Sequence, residues 1–371
     1  MLLGLAMSPV VTARANMPII TSADKKLKAH IVDFADLSQW DRDQHEKALV
    51  AFKRSCRVMG KSGQGKVWPG FTGRYADWSG VCTQANKIAS TNRRAARKFF
   101  ERYFVPARLI NGNDRGLFTG YYEPELAASF KRSKTYSVPL YRAPKDLRSS
   151  GKAYFTRAQI ENGALKNRGL EFVYLKNPID AFFLHVQGSG RLFLDNGKML
   201  RVGFAAKNGR PYTSIGKVLI NQGALARQDV SMQTIRHWLR KNPQQAVRVM
   251  QKNQSFIFFR PLKNADPRLG PIGAQGVPLA SKRSLAIDKS LHGYGLPFWL
   301  ETEIPDVKTG KLIAFRQLMI AQDTGSAIKG PIRGDIYWGS GKDAGAAAGK
   351  MQQPGKLFLL LPKRLAAKYQ R

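Results

Sequence analysis

Between Gln39 and Met59 apolar residues return at helical spacing (Trp40, Ala48, Leu49, Phe52, Cys56), with acids early and bases late, which predicts an amphipathic helix. A second helix is predicted from Asn92 to Phe104, with Ser90 or Thr91 as its cap and Pro106 beyond its end. The segment between them that holds Trp78 reads as a loop. Downstream the period shortens. Gly116 to Tyr122, Val138 to Tyr141 and the apolar run Ala181 to Val186 read as strands. Arg191 to Leu194 and Lys198 to Phe204 flank Asp195-Asn196-Gly197, a strong hairpin signal. A helical pair follows, one member capped by Ser231 and the other starting at Asn242 with Pro243 in its first turn. From Ser255 short strands return, separated by Gly and Pro turns. The predicted class is mainly β with helical additions.

Composition narrows this picture. A chain of 371 residues, 43% hydrophobic and 10% aromatic, has enough apolar material for two or three real cores. Its Gly 34 and Pro 19 suit turn-rich β architecture. No apolar run approaches the length of a membrane-spanning helix. Lys+Arg 61 against Asp+Glu 25 gives a formal charge of +36, which points to an anionic partner: nucleic acid, acidic lipid headgroups or an acidic polymer. The excess is uneven. From Val230 to Ala265 there is no acid, yet Arg236, Arg240, Lys241, Arg248, Lys252, Arg260 and Lys263 all fall there, as a solvated basic face or as a groove for a polyanion.

Met1 to Ala15 ends in Ala-Arg-Ala and resembles the apolar core and cleavage site of a secretory signal without its basic start. Residues 1–15 are therefore expected to be a signal remnant, and the protein periplasmic. No cysteine lies near this segment, so an outer-membrane lipoprotein is not expected from the chain as it stands. Cys56 and Cys82 are the whole cysteine complement. Such a pair suits a disulfide in an oxidising compartment, worth about 3 kcal/mol in the chain-entropy model, with two buried free thiols as the other reading. Far from any histidine cluster, they do not make a zinc site.

Several chemistry motifs fail on inspection. Gly60 to Val67 nearly spells a phosphate-binding loop, but Val67 stands where a hydroxyl must hold magnesium, and the segment follows a helix. Gly339-Ser340-Gly341 echoes a dinucleotide fingerprint without a surrounding βαβ unit. His30, His45, His185, His237 and His292 are scattered, and no nucleophile elbow occurs. Carboxyl groups are left. Asp288, Asp323 and Asp335 each follow or enter a strand-like run, and aspartates beside glycines are most often turn-formers. Asp335 is the best exception. In a Gly-rich turn and followed by Tyr337 and Trp338, it is expected to be partly desolvated, which raises a carboxyl toward general-acid range, while aromatic faces suit sugar rings.

Four blocks now carry a resemblance: GLFTGYYEPEL (Gly116 to Leu126), DAFFLHVQGSGRL (Asp180 to Leu192), GVPLASKRSL (Gly276 to Leu285) and LMIAQDTGSAIKGPIRGDIYWGSGKDAGAAAG (Leu318 to Gly349). Together, and in order from about Ala51 to Pro362, they resemble the membrane-bound lytic murein transglycosylase A family, of the three-aspartate, double-psi β-barrel type. The resemblance implies a discontinuous catalytic domain, residues 20–124 and 255–371, made of N-terminal helices and a double-psi β-barrel. Residues 125–254 would form an inserted β-domain, with a glycan groove between the two. It places the catalytic acid at Asp335 and supporting roles at Asp323 and Lys329. It also lines the groove with Phe118, Thr119, Gly120, Tyr121, Tyr122, Gln187, Gly188, Ser189, Gly190, Tyr337 and Trp338.

The implied activity is that of a lyase, a peptidoglycan lytic exotransglycosylase. It cleaves the β-1,4 bond between N-acetylmuramic acid and N-acetylglucosamine and leaves a 1,6-anhydro end. One acid suffices because the sugar's own 6-hydroxyl attacks, so no metal and no organic cofactor is expected. Expected partners are peptidoglycan glycan strands, with no nucleic acid, peripheral contact with the outer membrane and a monomeric state. The rival readings are a catalytically silent murein-binding protein and, on charge alone, a nucleic-acid-binding module. The latter would lose affinity steeply with salt.

Overall fold

The computed structural model describes residues 18–60, 67–147, 153–262, 266, 268–306 and 308–370. The signal-like segment and most of Gly60 to Val67 lie outside them. Two sheets organise the chain. In the nine-stranded sheet, the strands Gln352–Pro362, Pro297–Pro305, Leu312–Asp323, Ser284–Ala286, Arg333–Ser340 and Gly116–Glu123 are neighbours in that order, and the last pairs back with the first. Six strands thus close into the barrel expected of the double-psi class, two of their pairings being parallel. Closure leaves no free edge within the ring. The strands Ile19–Thr21, Lys28–Ile31 and Phe104–Ile110 extend the sheet outside it.

The chain leaves the barrel wall at Glu123 and, after the single residue Pro124, enters a six-stranded sheet at Glu125–Ser129. The other strands of that sheet are Ile257–Pro261, Met199–Lys207, Ser189–Leu194, Glu171–Leu175 and Val138–Tyr141. Asp195-Asn196-Gly197 makes the turn between two of these strands, with Leu194 N–H bonding Lys198 O at 2.8 Å. The helices Ile215–Asn221, Met232–Lys241 and Pro243–Gln251 have a small core of their own around Leu219, Ile235, Leu239 and Val249. Ser231 caps the second of these through Thr234 N–H, and Pro243 starts the third.

Four local expectations need correction. Ala181 to Val186 is not a strand but the body of helix Pro178–Gln187. Asn177 Oδ1 accepts the Asp180 N–H, Pro178 fits the first turn, and Gly188 ends the helix at φ 79, where a side chain would be strained. A short apolar run buried on several sides has no period to read. The first long helix begins at His45, after a separate turn Trp40–Arg42. Asn92, not Ser90 or Thr91, caps Arg93–Tyr103. Trp78 sits in helix Ala76–Asn86 and not in a loop, its indole N–H bonding Thr72 O at 2.7 Å.

That helix carries Cys82, which is joined to Cys56 of helix His45–Met59 with Cα atoms 5.5 Å apart. The helical layer is fixed to the barrel by buried polar groups. Arg283 and Asp43 form a two-bond ion pair at 2.7 and 2.8 Å. Gln322 Nε2 donates to Ala51 O and to Ser55 Oγ, each at 2.9 Å. These contacts hold the strand end just before Asp323. Among the described residues no helix is long and apolar enough to cross a membrane.

Candidate functional site

Strand alternation sorts the predicted site. Along Arg333–Ser340, residues Arg333, Asp335 and Tyr337 share one face, and along the parallel neighbour Gly116–Glu123 so do Thr119, Tyr121 and Glu123. Asp335 is therefore a mid-strand residue, not a turn residue. Register then lines up a row across four strands: Asp323 opposite Ala286, Ala286 opposite Asp335, and Asp335 opposite Thr119. The two aspartates stand two strands apart, about 10 Å in backbone spacing, with only an alanine methyl between them.

Each acid has its own partners. Thr119 Oγ1 donates to Asp335 Oδ1 at 2.7 Å, and the same hydroxyl accepts from Arg333 at 2.8 Å. Burial pushes Asp335 up to about 6; Arg333 and the Thr119 hydrogen bond pull against this, and Asp323 adds to it. Asp323 is held by Tyr121 Oη at 2.8 Å, Ala274 N–H at 3.0 Å and Thr324 N–H at 2.9 Å. Burial raises it as well, against those three donors. Burial and the adjacent Asp323 raise the Tyr121 phenol, so it stays a donor. Its ring lies 5.4 Å from that of Tyr337.

Below this row, Glu123 is fully buried and neutralised from two directions. Arg201 reaches it at 2.6 and 2.7 Å and Arg191 at 2.9 Å, both from the inserted sheet. From the same side Tyr212 comes within electrostatic reach of Asp335. Its phenol is raised first by burial; Arg157 opposes the shift and Asp335 adds to it. Arg157 itself is buried, donating to Asn253 O and Ser255 O, with His185 Nδ1 at 3.1 Å.

The remaining predicted residues fall elsewhere. Phe118 is 0% exposed and Trp338 is 7% exposed; both point into the barrel core, so neither offers a face to a sugar. Gly120 is small because of Trp338: a Cβ there would lie 2.4 Å from the indole nitrogen. Tyr122 turns the same way and packs against helix Gly341–Ala348. Tyr337 shares the acids' face but is 2% exposed. Gln187 Oε1 accepts the Tyr122 N–H at 3.0 Å, Gly188 caps its helix, Ser189 is buried and Gly190 lies under Leu184. These four residues join the helix to the inserted sheet, with Gln187 and Gly188 half-buried. Lys329 is exposed and pairs with Asp288 at 3.5 Å.

Arg333 and Tyr212 were missed. Strand alternation pointed to Arg333, two residues before Asp335; no local signal pointed to Tyr212. Among the described residues no group of His, Cys, Asp or Glu is arranged to hold a metal ion.

A half-buried carboxyl near 6 with a hydroxyl donor, set in the wall of a closed β-barrel beside an inserted sheet, is the arrangement of a proton-transferring enzyme site. Comparison with known proteins gives the same class. Residues 117–260 match the MltA specific insert domain and 283–361 the 3D domain. A membrane-bound lytic murein transglycosylase A from Vibrio cholerae is 36% identical over 259 residues, 68% of each chain. The crystal structure of a membrane-bound lytic murein transglycosylase from Agrobacterium tumefaciens superposes with a TM-score of 0.81 at 34% identity, covering 92% of this chain and 99% of that one. That of MltA from Escherichia coli with bound chitohexaose gives 0.68 at 27% identity, covering 96% and 99%. The chain belongs to the membrane-bound lytic murein transglycosylase A family.

Proposed function

We propose that this protein is a lytic transglycosylase that cleaves the β-1,4 bond between N-acetylmuramic acid and N-acetylglucosamine in peptidoglycan. The observation that carries the reading is Asp335, raised to about 6 by burial, with Thr119 on one oxygen. The protonated carboxyl gives its proton to the glycosidic oxygen as the C1–O bond breaks. The 6-hydroxyl of the same muramic acid then attacks C1, and its proton returns to Asp335. The product is a 1,6-anhydro ring, and water takes no part. Intramolecular attack outcompetes water because the nucleophile is already held at the reacting carbon. A second carboxylate, needed by hydrolases to handle water or to bond the sugar, has no task here.

In this reading Asp323 and Tyr121 shape the field around Asp335, and Arg333 orients Thr119. Tyr212 faces the glycan from the inserted side. The insert runs from 125 past the expected 254, since strand Ile257–Pro261 belongs to its sheet; the barrel part is residues 20–124 and the chain after Pro261, and the glycan strand runs between the two. Murein is a polymer rich in stem-peptide carboxylates, which fits the charge of +36. In this reading the enzyme acts in the periplasm, as a monomer beside the outer membrane.

Incubation with purified sacculi and mass spectrometry of the soluble products tests this. Anhydro-muropeptides, lighter by one water than reducing-end products, are expected from the native protein. Asp335→Asn, which keeps the shape and removes the proton, should release them at least about 100-fold more slowly. Reducing ends would mean hydrolysis, and binding without release would mean a silent murein binder.

A further inference from the structure

The acid-free run from Val230 to Ala265 takes no part in the chemistry above, yet one of its helices borders a cleft. Met232–Lys241, with Leu225 before it and Asn242 after it, lines an open cleft of about 510 Å³ through Gln233, Thr234, His237, Trp238, Arg240 and Lys241. We propose that this cleft is a second ligand site that takes a short acidic peptide, which, on the lytic reading above, is the stem peptide of murein.

Two features select that chemistry. The first is charge. Arg236 in the same helix is taken by Asp180, but among the described residues no acidic side chain pairs with Arg240 or Lys241, both exposed at the rim. Carboxylates are the ligand groups they would meet. The second is the floor, where Leu225 and the half-buried Trp238 offer apolar surface to small side chains such as alanine methyls. Gln233, whose Nε2 donates to Gly345 O at 3.2 Å and Ala346 O at 3.3 Å, ties the helix of the cleft to helix Gly341–Ala348. A planar membrane does not enter a concave cleft.

The cleft is also placed to serve the glycan site. Gly345 and Ala346 belong to helix Gly341–Ala348, which packs against the strand bearing Thr119 and the strand bearing Asp335. A glycan at the acid and its stem peptide at the cleft would grip the same wall from two sides.

Calorimetric titration of the full-length protein with the free tetrapeptide L-Ala-D-Glu-diaminopimelate-D-Ala tests this without turnover. Saturable binding is expected, weakened about tenfold by the double substitution Arg240→Ala with Lys241→Ala, the weight of two partly exposed charge contacts. On peptide-bearing strands the double variant should raise KM and leave kcat unchanged; on strands stripped of peptides neither should move. Absence of saturable binding, or equal binding by the double variant, overturns the proposal. So does loss of binding to phosphatidylglycerol vesicles with peptide binding intact, which would make the patch a membrane contact. Turnover of stripped strands reports on the lytic activity alone, so failure of that reading is seen separately.

Discussion

Two carboxyl groups on neighbouring strands show how one barrel wall produces both structure and chemistry. Glu123 ends the Gly116–Glu123 strand at the joint with the inserted sheet and is met by two arginines at 2.6 to 2.9 Å. Asp335, on the adjacent strand and the same face, has one hydroxyl at 2.7 Å and an arginine whose bond goes to that hydroxyl and not to the acid. Both groups are withdrawn from water, Glu123 fully and Asp335 in part. Where the loss is made good by hydrogen-bonded opposite charge the acid is a strut; where it is made good only in part, the acid keeps a proton close to neutral pH. How fully a buried acid is paired, more than its depth, separates the two roles.

The largest effect should come from breaking the strut. Glu123→Gln leaves Arg201, only 2% exposed in its side chain, facing a neutral amide in a dry joint. Truncating one partner of such a pair costs about 3–5 kcal/mol. Chemical denaturation should show a fall of that order; a loss below about 1 kcal/mol would mean that Pro124 and the strand contacts hold the joint without the charges. The disulfide provides a control remote from both acids. Removing the Cys56–Cys82 bond by reduction should lower stability by about 3 kcal/mol and leave the pH dependence of turnover unchanged. Ready labelling of both thiols in protein recovered from the periplasm would remove it from the account.

Asp335→Asn should behave in the opposite way to Glu123→Gln. The folded-state value near 6 lies above the ordinary 3.8, so the folded protein binds this proton more tightly than the unfolded chain. Its contribution to stability is complete below about pH 4 and is lost as pH rises through about 6. The Asn variant lacks this decline, so above pH 6 it should be more stable than the parent while turning over at least about 100-fold more slowly. Denaturation midpoints at pH 4 and pH 8 check the sign. A variant less stable than the parent at pH 8 would place Asp335 with the struts.

Much of this was legible in the residues, and the part that was not has physical causes. The four blocks place both raised acids and Thr119, and Asn-Gly with its flanking alternation places the hairpin. The pleat divides the aromatic set. Thr119, Tyr121 and Tyr337 turn toward the acids, while Phe118, Tyr122 and Trp338 turn away, and only strand register says which half is which. Ala181 to Val186 could not reveal a helix because its apolar residues feed two cores, leaving no polar face to mark a period. Tyr212 feels Asp335 only electrostatically, through the placement of the insert beside the barrel, across 123 positions in the sequence that no local pattern encodes.

The smallest effect is the most discriminating, because it changes the pairing of Asp335 without removing the acid. Thr119 Oγ1 is both the donor to Asp335 and the acceptor for Arg333. A donor to the charged form lowers a carboxyl's pKa, so Thr119→Val, similar in shape but without the hydroxyl, should move Asp335 above its value of about 6. A net hydrogen bond of about 0.5–1.5 kcal/mol corresponds to a shift of about half to one unit. The lytic cycle begins with the protonated acid, so kcat/KM should fall as pH rises through that value, and in the variant this fall should begin later. The expected result is a basic limb displaced upward with a nearly unchanged plateau at low pH. An unmoved limb would mean that Thr119 does not set the proton affinity of Asp335. A downward move would mean that Arg333, freed from the hydroxyl, turns to the carboxylate and makes Asp335 resemble Glu123.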